Sequence, residues 1–118
     1  MGSRMAQRLL DAGHELVVWN RDAAKTRPFT KLGARAAPTP AHAADGVKAV
    51  ITMVSDLPAL EAVTEGPDGV VAGATADTTL VQMATVRPAA VLRLESLLPA
   101  GAGFLDYSAV LARITGAA

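Results

Sequence analysis

Met1-Gly2-Ser3-Arg4-Met5-Ala6-Gln7-Arg8-Leu9-Leu10-Asp11-Ala12-Gly13-His14-Glu15-Leu16-Val17-Val18-Trp19-Asn20-Arg21 is the stretch on which the fold turns. Met5, Leu9 and Leu10, with Ala6 and Ala12, make one apolar stripe at helical spacing, and Ser3, Arg4, Gln7, Arg8 and Asp11 take the other side. Gly13 follows as a helix-ending residue free to adopt positive φ. Leu16 to Trp19 is then a short continuous apolar run of β-formers, the pattern of a strand covered on both faces. Helix, glycine bend and strand in this order are the second half of a β-α-β unit. The strand that should come before the helix is not in the chain.

Working outward, alternation continues. Asp22 is an N-cap for a helix over residues 23–32, which Gly33 closes and Pro28 shortens or kinks. Residues 34–37 read as a short strand, and Thr39-Pro40 caps and opens a short helix. A buried strand is expected at 49–54, then a helix started by Asp56 and Pro58 and running to about residue 63. Glu65-Gly66-Pro67-Asp68-Gly69 is a turn cluster, with a further short helix at 70–74. Residues 79–83 read as a strand, 88–98 as a helix, and 104–106 as a last short strand after the break at 99–103. Strands alternating with helices predict an α/β fold with an open parallel sheet flanked by helices.

Composition narrows the functions available. At 118 residues the chain is one domain or a piece of one. A hydrophobic fraction of 51% argues against disorder. Eleven basic and eleven acidic side chains cancel, so no global field favours nucleic acid or an anionic membrane. Aromatics at 3% leave no stacking platform for single strands. No apolar run approaches the roughly 20 residues that span a bilayer. Arg4, Gln7, Arg8 and Asp11 interrupt any signal-peptide core. The absence of cysteine removes disulfide and thiol chemistry and suits a cytoplasmic protein. His14 and His42 have no acidic neighbours at metal-ligand spacing, and Ser55 and Ser108 have no His-acid pair. No metal site and no nucleophilic triad is therefore expected.

The collinear segments GSRMAQRLLDAGHELVVWNR, GARAAPTPAHAA, AVITMVSD, GPDGVVAG, LVQMATVRPAAV and GFLD resemble the N-terminal NADP-binding domain of the β-hydroxyacid dehydrogenases. This group includes 6-phosphogluconate and 3-hydroxyisobutyrate dehydrogenases and the imine reductases. The resemblance implies an incomplete Rossmann-type sheet with its first strand absent, over residues 1–106, followed by a divergent tail at 107–118. It implies a dinucleotide cofactor, NADP in preference to NAD, and hydride transfer to or from a small hydroxyacid, aldehyde or imine in a longer protein.

The family's glycine loop has three spaced glycines, and Gly2 matches the last. The backbone amides of Gly2, Ser3 and Arg4 then point at a phosphate from a helix N-terminus, or else form a solvated chain end. The strand end Asn20-Arg21, with Lys25 one turn on, matches the family's NADP pattern. Asn20 does not repel a 2′-phosphate, and Arg21 pairs with it through a planar fork, unless it is an ordinary solvated arginine. Asp22 reads as a cap. Met53 and Val54 match residues that pack against the cofactor, while Asp56 reads as a cap. Thr85 matches the residue near the nicotinamide, or caps the helix near Pro88, and Gln82 and Ala84 depart from the family's acidic and hydroxyl residues. After Asp106 the match fails, and the family's catalytic lysine belongs to a later domain. Lys25, Lys31 and Lys48 do not take that role, so no catalytic residue is assigned. A non-catalytic nucleotide-binding or interaction module and an inactive gene remnant are the competing readings.

The absent first strand is central in the full sheet. Three covered aliphatic side chains there contribute about 5–9 kcal/mol, against a typical domain stability of about 5–15 kcal/mol. A lone copy is thus expected to be marginal, or to form a homodimer or accept another strand. Met1 is either an internal methionine of the glycine loop taken as a start or the mark of a genuine truncation.

Overall fold

Two glycines set the course of the first third of the chain. The computed structural model describes residues 2–54 and 56–106. Helix α1 spans Gly2–Asp11 and stops at Gly13, whose φ is +87°. The N–H groups of Gly13 and His14 donate to the carbonyls of Leu10 and Leu9 at 3.0 and 3.1 Å, which satisfies two otherwise orphaned acceptors. The same device recurs at Gly33, with φ +107°, where the Gly33 and Ala34 N–H groups donate to Thr30 and Phe29. Each closure turns the chain into a strand. Strand β1 is Val17–Val18 and strand β2 is Arg35–Ala36, and the two pair in parallel.

Between them the single helix expected at 23–32 is two pieces. Asp22 caps a 3₁₀ helix over Ala23–Thr26, accepting from the Ala24 N–H at 3.1 Å. Helix α2, Arg27–Thr30, follows with Pro28 in its first turn. Proline has no N–H to give there and its fixed φ suits a first turn, so the break falls just before it.

The second half is better packed. Helix α3, Pro40–Ala44, is capped by Thr39, whose hydroxyl accepts from the His42 N–H at 3.1 Å. Strand β3 is Ala49–Thr52. Helix α4, Leu57–Thr64, is capped by Asp56, which accepts from the Ala59 N–H at 3.0 Å. Helix α5, Val70–Gly73, precedes strand β4, Thr79–Gln82, and helix α6, Pro88–Leu97, leads to strand β5, Gly103–Asp106. All three expected caps form because each needs only a side-chain oxygen within one turn of its donor.

The strands make two parallel sheets, β1-β2 and β3-β4-β5. In a doubly wound sheet of order 3-2-1-4-5-6 these are the pairs and triplet on either side of the first strand. Among the described residues no strand joins β1 to β3. The consequence is exposure. The apolar runs of β1 and β3 were expected to be covered on both faces. Instead Val17 and Val18 are half-buried, and Ile51 is 39% exposed. The stripe of α1 fares similarly: Met5, Ala6, Leu9 and Leu10 are only half-buried. Among the described residues β1 pairs only with β2 and β3 only with β4, so each keeps one open edge, and their apolar side chains stay partly exposed.

The main core cluster begins at α3. Ala44, Leu60, Val63, Val70, Leu80 and Leu94 form it, so it is drawn from α3, α4, α5, β4 and α6. Trp19 is partly buried and packs against its margin.

Candidate functional site

Ligands of open parallel sheets lie beyond the carboxyl ends of the strands. In the three-stranded sheet the register places Thr52, Gln82 and Asp106 in one row at those ends. Met53 and Val54 follow β3, both half-buried, with Val54 also packed against the core. Thr85 lies three residues past Gln82 and is exposed. It does not cap α6: the N-cap is Arg87, with no side-chain hydrogen bond. Ser55 is outside the described residues.

Gln82 is the residue that sequence reasoning undervalued. It is 0% exposed. Its Nε2 donates to the Ala84 carbonyl at 2.8 Å and to Asp106 Oδ1 at 3.3 Å. Its Oε1 accepts from the Ala84 N–H. Both amide hydrogens are thereby committed. Thr52, its register partner on β3, is 5% exposed, and its hydroxyl has no hydrogen-bond partner among the described residues. The available signal was period two: Gln82 must share a face with the buried Leu80, and a buried amide must find partners.

The end of β1 is a second, separate cluster. Asn20, Arg21 and Lys25 are all exposed. Asn20 Oδ1 accepts from the Asp22 N–H at 2.9 Å, which leaves the Asn20 amide hydrogens as its outward-facing chemistry. Asp22 spends one carboxylate oxygen as the cap of the 3₁₀ helix. Neither Arg21 nor Lys25 is committed to a carboxylate, because the ion pair found among the described residues joins Arg93 to Glu65 at 2.7 Å. That hydrogen bond, with the added charge attraction, holds Glu65 below its ordinary range and raises Arg93. The pair ties the end of α4 to α6 beside an open groove of about 290 Å³ lined by the two helices.

The third cluster is the start of α1. Gly2, Ser3 and Arg4 form its first turn, where N–H groups have no intrahelical acceptor. No acidic residue neutralises that turn, so its amides and the helix dipole favour an anion. Arg4 is exposed and, with Met5, Arg8 and Leu9, lines an open concavity of about 300 Å³ made by α1 alone. That hollow is an uncovered helix face.

The expected residues thus fall into three groups: Gly2, Ser3 and Arg4; Asn20, Arg21 and Lys25; and Met53, Val54 and Thr85. No hydrogen bond or ion pair joins one group to another among the described residues. His42 is occupied at the start of α3, where its Nδ1 lies 2.6 Å from Thr39 Oγ1. Among the described residues no cluster of His, Asp or Glu is placed to hold a metal, and no helix is long and apolar enough to cross a membrane.

Comparison with known proteins agrees with the strand order. The family of the NAD binding domain of 6-phosphogluconate dehydrogenase matches residues 1–109. The chain is 40% identical over 86 residues to the uncharacterized oxidoreductase YfjR of Bacillus subtilis (strain 168), covering 73% of this chain and 30% of that protein. It is 36% identical over 107 residues to the cytokine-like nuclear factor N-PAC of Danio rerio, covering 90% of this chain and 23% of that protein. The imine reductase of Myxococcus stipitatus, solved in complex with NADP+, superposes with a TM-score of 0.73 at 28% identity, over 88% of this chain and 36% of that one. The chain spans between 23% and 36% of the length of these relatives. With the sheet order, the position of the strand-end residues and the match over residues 1–109, the chain belongs to the family of NAD-binding domains of 6-phosphogluconate dehydrogenase.

Proposed function

We propose that the chain is the NADP(H)-binding part of an oxidoreductase of the β-hydroxyacid dehydrogenase type, with NADP preferred over NAD. The observation that carries this reading is the end of β1. There Asn20 offers amide hydrogens, Arg21 and Lys25 are exposed cations, and the nearby Asp22 is engaged as a helix cap. An NAD-selective end would instead present a carboxylate to the ribose hydroxyls.

The other groups fit the same ligand. The amides of Gly2, Ser3 and Arg4 suit the pyrophosphate. Met53 and Val54 supply apolar contact, and Thr85 supplies a hydroxyl on the other half of the sheet. The bound nicotinamide supplies the hydride. In the longer protein the acceptor or donor is a small hydroxyacid, aldehyde or imine. The chain by itself carries no assigned catalytic residue and is inactive in turnover. A cytoplasmic setting accords with the lack of cysteine. The tail at 107–118 lies outside the described residues and is proposed to diverge from the family's substrate segment.

Calorimetric titration with NADPH and NADH tests the reading. Tighter binding of NADPH is expected. A preference for NADH overturns the NADP assignment, and no affinity for either removes cofactor binding. The open edges of β1 and β3 and the exposed Ile51 also support self-association. Sedimentation giving a concentration-independent monomer with a cooperative unfolding transition would count against it.

A second reading is a nucleotide-binding module without catalysis. It is favoured by the likeness, over 107 residues, to a protein named as a nuclear factor. Dinucleotide affinity in the longer gene product, without turnover on a broad carbonyl and imine panel, would support it.

A further inference from the structure

We propose that Gln82 is a positioning residue for the nicotinamide half of the dinucleotide, acting by holding the Ala84 peptide groups so that Thr85 stands exposed at the carboxyl edge of the sheet. The inference rests on the NADP(H) reading above.

A doubly wound sheet binds a dinucleotide as two halves, with the adenosine ribose at the end of the second strand. Here that end is Asn20-Arg21. The other half of the ligand therefore meets the three-stranded sheet, where the segment after β4 is exposed at Thr85. Beyond the Met83 N–H bond to the Thr52 carbonyl, one side chain clasps that segment. Gln82 both accepts from the Ala84 N–H and donates to the Ala84 carbonyl, and its remaining amide hydrogen reaches Asp106. Ala84 is itself buried at 4% exposure, so these bonds form away from competing water.

The chemistry calls for a primary amide. A carboxylate at 82 accepts from the Ala84 N–H but cannot donate to its carbonyl, and it places a second acceptor against Asp106. A leucine makes none of the three bonds. Asparagine is one methylene too short to span from β4 to the same groups. Gln82 does not touch the expected ligand, so it acts through Ala84 and Thr85.

The test compares two ligands on the full chain and its variants. NADPH engages both halves of the sheet, whereas 2′,5′-ADP carries only the adenosine, its 2′-phosphate and one further phosphate. Gln82→Glu, nearly isosteric, and Gln82→Leu are titrated with each. NADPH affinity should fall roughly tenfold in Gln82→Leu, which loses all three bonds, and at least as far in Gln82→Glu, whose buried carboxylate faces the Ala84 carbonyl and Asp106 with no hydrogen to give. Affinity for 2′,5′-ADP should stay within about twofold, which also reports that the adenosine end remains folded. Unchanged NADPH affinity in both variants overturns the role of Gln82. Parallel loss of both ligands also overturns it, since that pattern marks general unfolding. A wild-type chain that binds neither ligand removes the NADP(H) reading itself, a result separable from the other two.

Discussion

Replacing Gly73 by alanine should unseat the contact between α5 and α3. A Cβ built on Gly73 would stand 2.1 Å from the Ala41 carbonyl oxygen, 2.9 Å from its carbon and 3.0 Å from its Cα. All three are backbone atoms, so no side-chain rotation relieves the clash. A comfortable carbon contact lies near 3.5 Å, so the helices must separate by about 1 Å. Overpacking of this kind costs about 1–3 kcal/mol. The better helix propensity of alanine offsets at most about 1 kcal/mol, and less at the last residue of a helix. A net loss of about 1–2 kcal/mol is expected, lowering Tm by roughly 3–10 °C. The damage should spread, because Ala44 at the end of α3 is fully buried in the core. Urea unfolding followed by circular dichroism measures it. Gly33→Ala is the comparison: no atom lies within 4 Å of its added Cβ, but its φ is +107°. There the cost is conformational, and Gly33→Asn should recover part of it, since asparagine tolerates positive φ. Gly73→Asn should be worse than Gly73→Ala. If Gly73→Ala unfolds within experimental error of wild type, the close approach of α5 to α3 is refuted.

Three further outcomes are expected. Arg21→Ala should cost NADPH about 10- to 100-fold in affinity, the worth of charge-assisted hydrogen bonds, with little effect on NADH; equal loss of both in calorimetry would deny Arg21 the 2′-phosphate. Thr52→Val removes a buried hydroxyl without a partner and should be neutral or stabilise by up to about 1 kcal/mol, so a clear loss in thermal unfolding would show that the hydroxyl is bonded. Glu65, lowered by its hydrogen bond to Arg93, stabilises above its unfolded-state pKa and loses that contribution as pH falls through the lowered folded value. Glu65→Gln should therefore differ slightly from wild type in urea at neutral pH and converge with it in acid; a difference that persists in acid refutes the sign.

What could be read from the residues alone was the local chemistry. Asp22, Thr39 and Asp56 act on donors two or three residues away, and Gly13 and Gly33 end helices by their own φ. Such interactions need no knowledge of the rest of the fold. The row Thr52, Gln82 and Asp106 depends on parallel register between segments far apart in sequence, so neither the clasp on Ala84 nor the unpartnered Thr52 hydroxyl was legible. Burial misled for a related reason. The runs Leu16 to Trp19 and Ala49 to Val54 have the composition of strands covered on both faces, yet composition records the sheet a strand suits, while exposure depends on the neighbours present. Ile51, at 39% exposed, is apolar for a neighbour that the described residues do not supply.

The same asymmetry bears on how a dinucleotide would act on this chain. All six residues of the core cluster come from position 44 onward, and the first half reaches it through Trp19. The cationic end expected to take the 2′-phosphate stands on a sheet of two residues per strand, while the Thr85 segment stands on three strands of four residues each. No ladder connects the two sheets among the described residues. Holding the ends of one ligand on both sheets therefore requires that the weaker half be ordered against the stronger. A part of the binding energy is spent on that ordering, which lowers apparent affinity and returns as stabilisation of the first half when ligand is present. Arg21 can thus be the better determinant of cofactor choice while sitting on the less stable element, because selectivity depends on the difference between two ligands that both require the same ordering.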